Sequence, residues 1–130
     1  MILAALLLVT APAAEPKIDC DNAMAQFELN ACAYREYERA DAALNAQWKL
    51  TVAHMKRVDA DFDRSHDTRP GYYDTLLAAQ RAWLTYREKH CTSEGYTMRG
   101  GSAEPMVFSG CMTKLTEART KELKDLIEEY

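Results

Sequence analysis

FELNACAYREYERADAALNAQWKLTVAHMKRVDADF, residues 27–62, is the stretch that decides the fold. Its apolar side chains Phe27, Ala31, Tyr34, Tyr37, Leu44, Trp48, Val52, Met55, Val58 and Phe62 recur at intervals of three, four or seven. A strand would alternate every second residue, whereas a helix brings positions three and four apart onto one face, so the spacing predicts one long helix. Asp21 or Asn22 is the expected cap for its first turn. The helix should fray toward Asp63-Arg64-Ser65-His66, ahead of Pro70-Gly71, with Val58 the place where a break would fall.

Outward from this stretch the same period returns twice. One stripe runs Tyr73, Leu76, Leu77, Trp83, Leu84 and Arg87 to Cys91, and another runs Met106, Phe108, Met112, Leu115, Ala118, Leu123 and Leu126 to Tyr130. Between them Gly95-Tyr96-Thr97-Met98-Arg99-Gly100-Gly101 is a turn-rich connection. Ser102 is suited to cap the last helix, with Pro105 in the first turn, where a missing N–H costs little. The fold class expected is all-α: an antiparallel bundle of about three helices, the first one long, in a single domain spanning 20–128.

Several stripe positions are polar. Asp41 sits between Tyr37 and Leu44, Gln80 between Leu76 and Trp83, and Arg87 one turn beyond Trp83. Asp41 and Asn45 share one helix face and Gln80 and Arg87 another, so packing is expected to join Asp41, Asn45, Gln80 and Arg87 in a carboxylate–amide–guanidinium network. One reading makes that network a device that fixes helix register, and the other a partly exposed recognition patch. Catalysis is the poorest fit: one carboxylate stands here rather than a poised pair, and no nucleophile accompanies it. No catalytic residue is assigned.

The chain begins with MILAALLLVTAPAA, whose apolar core is too short to span a bilayer and is followed by Ala11-Pro12-Ala13, a small-residue cleavage pattern. Residues 1–14 are therefore expected to be a signal peptide cut near Ala13 or Ala14. Ile18-Asp19 before Cys20 does not make a lipobox, so no stable membrane anchor is expected after cleavage. Export to the periplasm or beyond makes the four cysteines, Cys20, Cys32, Cys91 and Cys111, candidates for two disulfides. Three pairings are possible. Cys20 with Cys32 would fold the leading segment onto the first helix, and Cys91 with Cys111 would pin two helices across a short loop. Crossed pairings stay open. Each closed loop is worth roughly 3 kcal/mol in the chain-entropy picture.

Other chemistries find little support. Neither a C-x-x-C redox pair nor zinc-ribbon spacing is present, and His54, His66 and His90 lie in separate segments, so no metal or cofactor is expected. The net charge is −4, residues 1–14 contribute none of it, and no basic stripe points to nucleic acid.

The phrase Cys20…Gln26-Phe27-Glu28-Leu29-Asn30-Ala31-Cys32-Ala33, with Tyr37, Ala40-Asp41 and Leu44-Asn45, resembles the LprI-like lysozyme inhibitor family of secreted bacterial proteins. The resemblance continues through Ala79-Gln80-Arg81-Ala82-Trp83-Leu84, Arg87 and Cys91, then Gly100-Gly101-Ser102, Pro105-Met106, Cys111, Leu115-Thr116, Arg119 and Leu123. It implies a non-enzymatic, periplasmic or secreted protein whose partner is lysozyme or another peptidoglycan hydrolase. Such an inhibitor must occupy a cleft that holds catalytic carboxylates. The segment Glu94–Ser102 offers Arg99 as the cation for those carboxylates and Tyr96 and Met98 as contact surface. Two alternatives stand beside this: an ordinary helix-to-helix turn, and an envelope adaptor that holds a different protein on its helical faces.

Overall fold

The structure, a computed structural model, describes residues 11, 12 and 17–129. The expected signal peptide lies outside the described residues except at positions 11 and 12. Three helices follow in order: α1 (Gln26–Asp61), α2 (Tyr72–Gly95) and α3 (Glu104–Glu129), with a single 3₁₀ turn at Tyr96–Met98 after α2. No strand occurs among the described residues. None of these helices is long and apolar enough to cross a membrane.

Helix α1 holds 36 residues without a break at Val58, roughly 54 Å at the usual rise. It starts later than Asp21 or Asn22 would have it. Ala25 occupies the cap position, and because its methyl group accepts nothing, the Glu28 carboxylate reaches back to the N–H groups of Met24 and Ala25, 3.2 Å each. Asp19 forms the local turn instead, accepting from the Asp21 N–H at 3.1 Å and the Asn22 amide at 2.7 Å. The leading segment is tied to α1 by the Cys20–Cys32 disulfide, and Arg35 donates to the Ile18 carbonyl at 3.3 Å.

The turn from α1 to α2 is fastened by Asp59. Its two carboxylate oxygens accept the N–H groups of Tyr72 at 2.7 Å and Tyr73 at 2.9 Å, so the last turn of α1 caps the first turn of α2. That explains Gly71 at the cap position: a Cβ there would stand 2.7 Å from the Asp59 Oδ1. Phe62, in extended backbone just past α1, sets its ring edge-on to Tyr72 at 5.5 Å.

The bundle runs up, down, up. Asn30 near the start of α1 donates to the Ser102 carbonyl beside the start of α3 (2.9 Å), and Thr51 far along α1 donates to the Leu123 carbonyl far along α3 (2.9 Å). α1 and α3 are therefore parallel, with α2 antiparallel to both. Two apolar clusters form the core. Leu44, Met55, Leu76 and Leu123 make one, with Trp48, Val52 and Trp83 against it; Cys91, Cys111 and Met112 make the other, with Tyr37, Phe108 and Leu115. Both disulfides join the partners favoured from spacing, and the Cys91–Cys111 bridge is itself a buried element of the second cluster. Phe27 and Tyr34, which belong to the apolar stripe of the sequence, do not enter the core: Phe27 is 67% exposed.

Candidate functional site

Two arginine sites stand out, one inside the bundle and one at its end. Inside, Arg87 is only 7% exposed. Its Nη1 donates to the Asp41 carboxylate at 3.0 Å and to the Thr116 hydroxyl at 2.8 Å, so one guanidinium ties all three helices together. The planar cation lies 4.8 Å from the Trp83 ring centre and 5.5 Å from that of Tyr37. Trp83 belongs to one apolar cluster and Tyr37 to the other, so Arg87 is the layer between them. Its Nε finds no hydrogen-bond partner among the described residues. Burial pushes the Tyr37 phenol above its ordinary pKa, with the Arg87 charge partly opposing that shift.

The structure divides the expected four-residue network. Asn45 reaches Asp41 only at 3.5 Å, and Gln80 does not join Arg87 at all. Gln80 accepts from the Arg119 Nε at 2.9 Å, and the Arg119 Nη1 continues to Glu122 at 2.8 Å. The physical reason is register: Gln80 lies seven residues before Arg87 on α2, hence two turns away, where antiparallel α3 presents Arg119 rather than α1 presenting Asp41. Thr51 escaped the sequence reading, and Thr116 and Arg119 entered it only within the family resemblance, with no part in the polar network. A signal was available, because Met112, Thr116, Arg119, Leu123 and Leu126 keep alternating spacings of four and three, as do Leu44, Trp48, Thr51 and Met55.

The second site is the loop between α2 and α3. Tyr96 and Met98 are each 46% exposed, and the Arg99 guanidinium lies 4.3 Å from the Tyr96 ring centre. No carboxylate among the described residues forms an ion pair with Arg99, so its charge faces outward. The loop is held from within. Arg99 N–H donates to the Tyr96 carbonyl (3.1 Å), Gly101 N–H to the Met98 carbonyl (2.9 Å) and the Thr97 hydroxyl to the Glu94 carbonyl (2.8 Å). Gly100 takes a φ of 77°, open to glycine at no steric cost, and its N–H donates to Glu104 Oε2 at 2.7 Å. Ser102 is thus not the cap of α3: Glu104, in the first turn, turns its carboxylate back onto the loop, and Ser102 contributes its carbonyl to Asn30. Beneath the loop the Cys91–Cys111 bridge joins α2 to α3.

A hollow of about 380 Å³ opens beside this loop, bordered by Thr92, Gly95, Gly100, Gly101, Glu104 and Phe108. His90 Nε2 stands 3.5 Å from Glu94 Oε2 on the same end of α2, and Cys111 Sγ is close to both. That sulfur is bonded to Cys91, which removes the thiolate a metal would need.

A protein-family model described as lysozyme inhibitor LprI matches residues 20–123, a span that includes both arginine sites and all four cysteines. The chain belongs to the LprI lysozyme-inhibitor family. Among its relatives, an uncharacterized protein of Rhizobium meliloti is 44% identical over 128 residues, covering 97% of this chain and 92% of its own length. The uncharacterized protein YecT of Escherichia coli is 26% identical over 100 residues, covering 74% of this chain, which spans 60% of the length of YecT. No solved structure matches the chain.

Proposed function

We propose that the protein is an exported, non-enzymatic binding protein that blocks a lysozyme or another peptidoglycan-cleaving enzyme through the Tyr96–Arg99 loop. The observation that carries this reading is an outward-facing cation on a braced loop: Arg99 stacked on Tyr96, in no ion pair among the described residues. The target cleft holds catalytic carboxylates and normally admits a polysaccharide. Arg99 supplies the complementary charge, Tyr96 and Met98 supply apolar contact, and Gly100 and Gly101 allow close backbone approach. Internal hydrogen bonds and the Cys91–Cys111 bridge order the loop before it binds, so less entropy is lost on association.

The test is a lysis assay with purified, oxidised protein against several lysozyme classes. Dose-dependent inhibition that weakens with rising salt supports the reading, since rim charges act mainly through screened attraction. Inhibition by an Arg99→Glu variant equal to that of the parent protein would remove this loop as the electrostatic contact. A second reading, an envelope adaptor, draws on the exposed Met24 just before α1 and on the exposed Phe27 and Tyr34 along its first turns. Its association would be largely insensitive to salt, and Phe27→Ser would weaken it while leaving lysozyme inhibition intact.

A further inference from the structure

At the end of the bundle remote from the Tyr96–Arg99 loop, a cleft of about 580 Å³ lies between the 62–71 connection, the first turns of α2 and the last turns of α3. The length of α2, 24 residues, separates the two ends by roughly 36 Å. The volume falls inside the range of roughly 300–1,000 Å³ typical of small-molecule sites.

The cleft is built of two unlike parts. Its floor is apolar, made by Met55 and Leu76 of the core together with Phe62 and Leu126. Its polar edge carries Arg64, Arg69 and the largely buried Arg119, with Asp67 paired to Arg69 and Glu122 paired to Arg119. In a chain of net charge −4 this leaves Arg64 with no ion pair among the described residues, a local excess of one positive charge. Each arginine is positioned by bonds that leave other N–H donors unused: Arg64 Nη2 on the Arg69 carbonyl (2.5 Å), Arg69 Nε and Nη2 on Asp67, and Arg119 Nε on Gln80 (2.9 Å) with its Nη1 on Glu122 (2.8 Å). A guanidinium has five N–H groups, so each retains capacity to donate to an anion.

We infer that this cleft binds a free single-chain anionic amphiphile, with the hydrocarbon tail on the Met55–Leu76–Leu126 floor and a carboxylate head among the arginines. A peptide is disfavoured as occupant by what the walls present. α1, α2 and α3 engage their own backbone groups, and the first N–H groups of α2, on Tyr72 and Tyr73, already donate to Asp59. A peptide's amides would be desolvated against apolar side chains with few partners, whereas a hydrocarbon tail has none to satisfy. Met55 adds an adaptable surface for a flexible chain.

The experiment is calorimetric titration of the oxidised full chain with dodecanoate below its micelle concentration. Dodecyltrimethylammonium and vesicles of anionic phospholipid are titrated alongside. Expected are saturable one-to-one binding of dodecanoate, at least tenfold weaker binding of the cationic amphiphile, and no binding to the vesicles. Arg64→Ser with Arg69→Ser should weaken dodecanoate about tenfold. Thr75→Trp, which fills the cleft from an exposed lining position, should do the same with unchanged circular dichroism and remains decisive if the double variant misfolds. Equal affinity for the two head groups, indifference to Thr75→Trp, binding to vesicles alone, or no dodecanoate binding would each overturn the inference. None of these outcomes bears on lysozyme inhibition.

Discussion

Arg87 and Arg99 are the same chemical device in two solvents. Each guanidinium lies over an aromatic ring, at 4.8 Å from Trp83 for Arg87 and 4.3 Å from Tyr96 for Arg99. Arg87 is enclosed and ion-paired with Asp41, while Arg99 stands in the exposed loop with no ion-pair partner among the described residues. Burial is what separates their roles. A buried cation stripped of water must keep its carboxylate, its hydroxyl and its ring faces, so removing any of them is felt by the whole bundle. An exposed cation keeps its hydration, contributes little to folding, and remains available to a partner.

The largest effect expected from this contrast is Arg87→Ala. It leaves the partly buried Asp41 and the buried Thr116 hydroxyl without their donor and should cost roughly 3 kcal/mol or more in denaturant unfolding. Lys121→Ala, whose partner Asp125 is reached in solvent, should leave the midpoint unchanged. Equal midpoints for the two variants would break the comparison. The pair Asp41→Leu with Arg87→Met sharpens it: removing both charges together should restore most of the stability lost by Arg87→Ala alone.

Next in size is the Cys91–Cys111 bridge. Replacing both cysteines by alanine should destabilise by roughly 2–3 kcal/mol and also reduce lysozyme inhibition, because the loop it braces becomes less ordered. The more exposed Cys20–Cys32 bridge, replaced in the same way, should leave inhibition unaffected. A matched loss of inhibition in both would show that the bridge acts on the loop only through global stability.

Smaller again is the cap that α1 supplies to α2. Asp59→Ala should cost about 1 kcal/mol, as for other helix caps, read as a lower thermal midpoint. Gly71→Ala should act in the same direction, since the added Cβ would collide with the same carboxylate. A neutral Gly71→Ala would mean that Asp59 can move aside without losing its two N–H contacts.

The smallest expected change in stability is that of Arg99→Glu, with no measurable shift in thermal midpoint and a several-fold rise in the concentration needed for half inhibition. A fall in midpoint comparable with that of Arg87→Ala would place Arg99 in the fold rather than at a partner surface.

Much of this was legible in the chain. Helical period alone set three helices, their order and the length of the first, because spacing of three and four is a property of one segment and needs no neighbour. The even cysteine count and the separations of 12 and 20 residues favoured the pairs that form. The polar positions Asp41, Gln80 and Arg87 were visible as interruptions in apolar stripes. What the sequence could not state was which face meets which. Periodicity fixes a direction about a helix axis and leaves open the neighbour that lies there, so only packing sent Arg87 to Asp41 and Gln80 to Arg119. Packing likewise left Phe27 and Tyr34 in solvent and gave Asp59 to the next helix. A carboxylate in a last turn is disfavoured by its own helix dipole and favoured by the N-terminus of another, and that second helix is brought within reach by tertiary structure alone.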